Sequence, residues 1–302
     1  VGSQLVIVSD PRAAASAALT RAFRALLSGA ADGRPQWVQA LAEPGDPGWF
    51  GPGSAIWSVH GSLATLVGGV RALLMQSAHP LALAGVVQHS DYRSDPLGRL
   101  QRTNRFLTTT TYGSSVQAQQ AVRRVRAAHV PVTGTASDGR RYAAADPALL
   151  LWVHVALTDS MLVAARAYGP RDVVADEYVA DAAVVARSLG VTDPPRTAPE
   201  LATVIEAYLP ELGSDHSTRD VVRFLMAPPL PLAAQPAYQV LSRAAVDLLP
   251  TWGTQLLGLP DRPGFVRAAD HAACVALIGG LRRVLGPLSP GERAARSRLA
   301  AA

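Results

Sequence analysis

Apolar positions recur at helical spacing along nearly the whole chain. Residues 13–27 are alanine-rich, with Leu19, Phe23, Leu26 and Leu27 three and four apart, which predicts one helix. Residues 62–75 repeat the pattern, and Pro80 breaks it before a shorter run through Val87. Asp95 followed by Pro96 reads as an N-cap and first turn, opening a helix over about 97–109. Ser114 or Ser115 caps the next, 116–130, which Pro131 closes. Two glycines and an aspartate make 133–141 a turn. Asp146 and Pro147 then start a long helix to Tyr168, stopped by Gly169 and Pro170. Further helices fit 172–189, 199–209, 218–224, 237–248 and 264–285, with proline-rich breaks at 193–195 and 228–231. No stretch sustains strand alternation, and no repeat is present. The pattern predicts an all-α, single-domain helical bundle. It divides into a helical extension over 1–50, a core over 51–262, and a C-terminal helix with a basic tail over 263–302.

Composition narrows the chemistry. Apolar residues make up 49% of the 302 positions and charged ones only 17%, enough to bury a core and too apolar for a disordered chain. The single cysteine, Cys274, excludes an intramolecular disulfide framework, a Cys-rich zinc site and a Cys-ligated iron–sulfur cluster, and reads as packing. All 28 basic residues are arginine, so lysine Schiff-base chemistry and the lysine of a phosphate-binding P-loop are excluded. The net charge of +5 is spread along the chain, and aromatics are only 6%, which argues against a nucleic-acid partner. The N-terminus, VGSQLVIVSDP, lacks the basic start and long apolar run of a secretory leader. The most apolar stretch, 65–87, is interrupted by Arg71, His79 and Pro80. No transmembrane segment and a cytoplasmic location are therefore expected.

The motifs HExxH, paired CxxC, GxSxG and a strand-linked GxGxxG are all missing. What remains are seven histidines and some well-placed arginines. Arg99, Arg102 and Thr103 fall on one helical face, suited to holding carboxylates; a solvated basic face is the competing reading. His129 continues the apolar stripe of Val122 and Val125, and His154 shares a face with Leu150, Leu157, Thr158 and Met161. Each is either a satisfied core histidine or a ligand. An imidazole can hold haem iron while arginines receive the porphyrin propionates. His79, His89 and Asp91 offer an alternative set, the ligand types of a non-haem iron triad.

Four segments in order resemble the family of bacterial latex-clearing proteins, or rubber oxygenases, and fungal MpaB-type oxygenases. They are RALLMQSAHPLALAGVVQHSDYRSDPLGRLQRT (71–103), RRVRAAHVPVTG (123–134), YAAADPALLLWVH (142–154) and LPTWGTQLLGLP (249–260). The similarity spans roughly 51–260. It implies a helical protein that binds haem b through an axial histidine and uses dioxygen on a hydrophobic substrate, of isoprenoid or secondary-metabolite type. By position, Arg99, Arg102 and Thr103 match the family's Arg-x-x-basic-Thr helix, and His129 matches the proximal haem histidine. Arg126 joins Arg99 and Arg102 as a cofactor-binding candidate, and His154 is the second candidate ligand. Two departures stand out. Arg102 replaces the lysine of the rubber-cleaving members, and arginine has no lone pair to give iron. The glutamate expected on the preceding helix is missing, since 51–90 contains no Asp or Glu. Both weigh against rubber as substrate. A protein that binds haem or another apolar ligand without turnover is the alternative.

Overall fold

The computed structural model describes residues 11–301, with side chains from residue 17 onward. The N-terminal stretch read as lacking a leader lies outside the described residues. The expected helices form: α1 (Pro11–Ser28), α4 (Thr65–Ser77), α5 (Pro80–His89), α6 (Pro96–Tyr112), α7 (Ser115–His129), α8 (Pro147–Tyr168), α9 (Ala175–Leu189), α10 (Ala198–Tyr208), α11 (His216–Met226), α12 (Gln235–Asp247) and α14 (Gly264–Leu285). Shorter ones join them: α2 (Gln36–Gln39), α3 (Ala55–Gly61), α13 (Thr251–Leu256) and α15 (Pro290–Ala300). Among the described residues the fold is all-α apart from one small hairpin. There β1 (Thr133–Thr135) pairs antiparallel with β2 (Arg141–Ala143), where the sequence shows only a turn.

Local chemistry sets the helix starts. Asp95 accepts from the Gly98 amide ahead of α6, Asp146 from Ala148 ahead of α8, and Ser114 forms a capping box with Gln117 at α7. Strand β1 carries Gly134 because a Cβ there would sit 2.6 Å from the Tyr142 hydroxyl.

The core is built around the crossing of α4 and α8. Gly68 permits it, since a Cβ would lie 2.8 Å from the Met161 sulfur and 3.2 Å from the Ser160 carbonyl. Helices α11 and α12 also pack on α4, while α9 and α10 pack on α8. Trp57, Val67, Leu74, Trp152, Val155 and Leu201 are fully or almost fully buried here.

Arg71, read in the sequence as an interruption, is only 3% exposed. Its guanidinium pairs with Asp159 at 2.7 Å and donates to the Ser160 hydroxyl at 2.7 Å and the Leu248 carbonyl at 2.9 Å. One side chain thus joins α4, α8 and the end of α12. Asp159→Ala strands that charge in the core and is expected to lower stability by about 3 kcal/mol, read from urea unfolding. A loss near zero would mean that the ion pair contributes nothing to the crossing.

Among the described residues, α8 and α14 are each long and apolar enough to cross a membrane, and α3 with α4, bent 94° apart, are so together, which leaves the expected absence of a transmembrane segment unsupported. In this fold α8 is more than half buried as the central helix, whereas most of α14 faces outward.

Candidate functional site

Helices α6 and α7 form a hairpin closed at Gly113 and Ser114, where a Cβ on Gly113 would strike the Thr109 carbonyl at 2.5 Å. Arg99 stands 13 residues before Tyr112, and His129 stands 14 residues after Ser115. Each is therefore roughly 20 Å of helix from the turn, toward the open end of the hairpin.

The C-terminal end of α5 is tied to both arms. Arg99 donates to the Ser90 hydroxyl at 2.7 Å. On the other side the His89 Nε2 lies 3.1 Å from the carbonyl of Thr133, four residues beyond His129, and 3.1 Å from the Tyr142 hydroxyl. Val87, Leu100 and Val130, at the ends of these same helices, are 37%, 42% and 70% exposed. Each of the three helices thus carries an exposed apolar side chain near the end that bears these polar groups.

The candidate residues divide into inward and outward sets. Arg99 is half-buried, and no carboxylate lies within 4.0 Å of it among the described residues. Burial, and then the neighbouring Arg102 charge, hold its pKa below the usual arginine value. Arg102 is exposed and pairs with Asp95 at 3.1 Å. Thr103 is exposed and donates to the Arg99 carbonyl at 3.1 Å. Arg126 is exposed one turn before His129. The shared face thus exists, but only Arg99 is drawn inward, through Ser90.

His129, at the last position of α7, is half-buried beyond buried Val122 and half-buried Val125. Its imidazole has no hydrogen-bond partner among the described residues. Burial pushes its pKa down, so the ring is neutral at pH 7 and keeps a lone pair.

His154 lies elsewhere. Helices α7 and α8 each pack on α9 rather than extensively on one another. The His154 Nδ1 meets the Thr158 hydroxyl at 3.3 Å, while Nε2 is buried without a partner. An orphaned nitrogen of this kind invites a ligand, which keeps His154 a second candidate.

His79, His89 and Asp91 do not converge, which corrects the non-haem iron alternative. His79 caps the start of α5 and His89 ends it, about 15 Å apart along the axis. No group of three metal-ligating side chains gathers anywhere among the described residues. His79 is instead a core residue, tilted against the Trp152 and Tyr208 rings with Nδ1 accepting from the Leu81 amide.

His60, which the sequence pattern does not single out, is also internal, with Nδ1 2.8 Å from the Thr111 hydroxyl and Nε2 3.2 Å from the Tyr178 hydroxyl. Its partners lie 51 and 118 residues away, beyond any local signal.

Burial pushes both His60 and His154 down to about 4 from 6.5. The unfolded chain therefore takes up protons first as pH falls. The stabilisation from keeping these rings neutral is fully present above about 6.5 and is lost between there and about 4. The melting temperature is expected to decline across that window, less steeply in His60→Gln. A flat profile would contradict the burial of both rings.

Comparison with known families settles the broader assignment. The family model described as ER-bound oxygenase mpaB/B'/Rubber oxygenase, catalytic domain, matches residues 57–292. The chain belongs to this family. As an mpaB/rubber oxygenase catalytic domain it carries oxygenase-type chemistry, with dioxygen and an organic substrate as the partners that the family implies. The match takes in all four segments quoted above and runs on through α14, leaving α1, α2 and most of α15 outside it. No curated protein and no solved structure matches the chain.

Proposed function

We propose that this member of the family is a haem b-dependent oxygenase acting with dioxygen on a small hydrophobic substrate, isoprenoid or a secondary metabolite. The observation that carries the reading is His129: a neutral, half-buried imidazole without a protein partner, at the same end of the hairpin as half-buried Arg99. This donor set fits a haem. A neutral imidazole is an axial ligand type, and a guanidinium without a carboxylate partner suits a propionate.

His129 would hold the iron, and Arg99 would hold a propionate, with Arg126 and Arg102 at the solvent edge. Haem, when bound, supplies the one-electron and dioxygen chemistry that no side chain of this protein provides. Val87, Leu100 and Val130, exposed near the same helix ends, would offer apolar surface to the group and the substrate. Thr103 can present its hydroxyl from the same helix. Arg102, exposed and paired with Asp95, has no lone pair to offer a metal where the rubber-cleaving members carry a lysine, so it would act there only as a hydrogen-bond donor.

A second reading, binding without turnover, is favoured by the lack of any carboxylate across 51–90 to act as a base. Oxygen uptake separates the two. Haem-loaded, reduced protein offered a panel of terpenes is expected to consume dioxygen and release oxidised product. Spectral shifts without uptake would support the binder.

A further inference from the structure

A second part of the described surface lies well away in sequence from Arg99, His129 and His154. Two adjoining hollows, of about 470 and 720 Å³, share Arg24 and Arg34 in their walls. They run between α1, the turn after it, and the region around α14 and α15. Gly33, at φ +67°, lets that turn lie close on α1, since a Cβ there would come 2.9 Å from the Arg24 Cβ.

Arg21 and Arg24 stand three apart on one face of α1, and Arg34 reaches in from the turn. The one acid in the lining, Asp32, already accepts from the Arg34 amide at 2.9 Å. None of the three guanidiniums has a carboxylate within 4.0 Å among the described residues, so three positive charges face one negative across the hollow. Elsewhere, clustered arginines such as Arg123 and Arg124 merely project from a helix into water. Here Arg24 is half-buried, and burial followed by repulsion from Arg293 and Arg34 lowers its pKa. Bringing like charges together in a recess is unfavourable until an anion joins them.

We infer that this cleft binds a phosphate ester with an apolar body, its phosphate held by Arg21, Arg24 and Arg34. A phosphate monoester carries close to two negative charges at neutral pH, and guanidinium forks match its oxygens. The hollow is larger than a phosphate, and Pro35, Val38, Pro290 and Ala294 supply an apolar wall for the rest. The three arginines precede residue 57 and Ala294 follows residue 292, so the site is built mainly from segments outside the family match. It is independent of the haem reading, and its test needs no haem.

The test is calorimetric titration of the full chain with hexyl phosphate, inorganic phosphate and hexanol. Hexyl phosphate is expected to bind at least about tenfold more tightly than either part alone, and to lose at least about tenfold in Arg24→Gln and in Arg34→Gln. Arg123→Gln, a charge-matched control on α7, should bind as the wild type does. Arg34 is exposed, so its variant remains informative if Arg24→Gln folds poorly. Co-sedimentation with phosphatidylcholine vesicles, with and without phosphatidic acid, identifies the source of the ester. Arginine-dependent pelleting assigns a lipid headgroup, and hexyl phosphate binding without pelleting assigns a free ester; both support the site. Absence of hexyl phosphate binding, equal affinity for inorganic phosphate, or unchanged affinity in the double Arg24→Gln, Arg34→Gln variant overturns it.

Discussion

Replacing His129 by alanine is expected to weaken haem binding by roughly a hundredfold or more, an interaction of about 3 kcal/mol. After haem loading and gel filtration the variant should leave the column nearly colourless, as read by its Soret absorbance against protein. The expectation follows from how little else His129 does. It is half-buried at a helix end and has no hydrogen-bond partner among the described residues, so its removal should leave the melting temperature almost unchanged. Loss of haem without loss of fold marks a ligand. His154→Ala provides the contrast, because it removes a nitrogen held inside the bundle. It should lower stability through the gap left on α8 while leaving haem content near that of the wild type. If His154→Ala loses haem and His129→Ala keeps it, the orphaned Nε2 of His154 is the ligand.

The second large effect is expected at Arg298, in the basic tail. This side chain is 1% exposed, and its guanidinium donates to the backbone carbonyls of Leu41, Pro47 and Tyr112. No carboxylate lies within 4.0 Å among the described residues; three carbonyl dipoles hold the charge instead, and burial lowers its pKa. Arg298 therefore fastens α15 to the segment after α2 and to the end of α6. Arg298→Ala leaves three carbonyls without this donor and opens a cavity, at a cost of about 4 kcal/mol. Arg298→Lys should recover less than half, because one ammonium cannot span acceptors on three segments. Urea unfolding measures the loss, and limited proteolysis should cut α15 first. A change below about 1 kcal/mol would show that α15 docks through its apolar contacts alone.

Helix ends were legible wherever one residue fixes them locally. The Asp95 and Asp146 caps, the Ser114 capping box and the glycine after Tyr168 all act within a few positions of themselves. Helix α9 begins at Ala175 rather than residue 172, after an extended Val174 that makes no side-chain cap bond. The β hairpin escaped notice because three residues per strand are too few to show alternation, and its glycine is required by Tyr142 across the ladder. Helix α15 lacks an apolar stripe; what orders it is a buried arginine whose acceptors lie up to 257 residues away.

The same division holds for the candidate site. Spacing placed Arg99, Arg102 and Thr103 on one face, but only the end of α5, through Ser90, turns Arg99 inward while its neighbours stay in water. That His129 lacks a partner and His60 has two depends on tertiary neighbours. No period in the sequence records them.

The most direct test of the central claim is a visible spectrum of the wild-type protein, incubated with haem b and passed through a desalting column. A Soret band at close to one haem per chain is expected to persist after the column and to shift when dioxygen or carbon monoxide meets the reduced protein. A correctly folded protein that emerges colourless would contradict the claim.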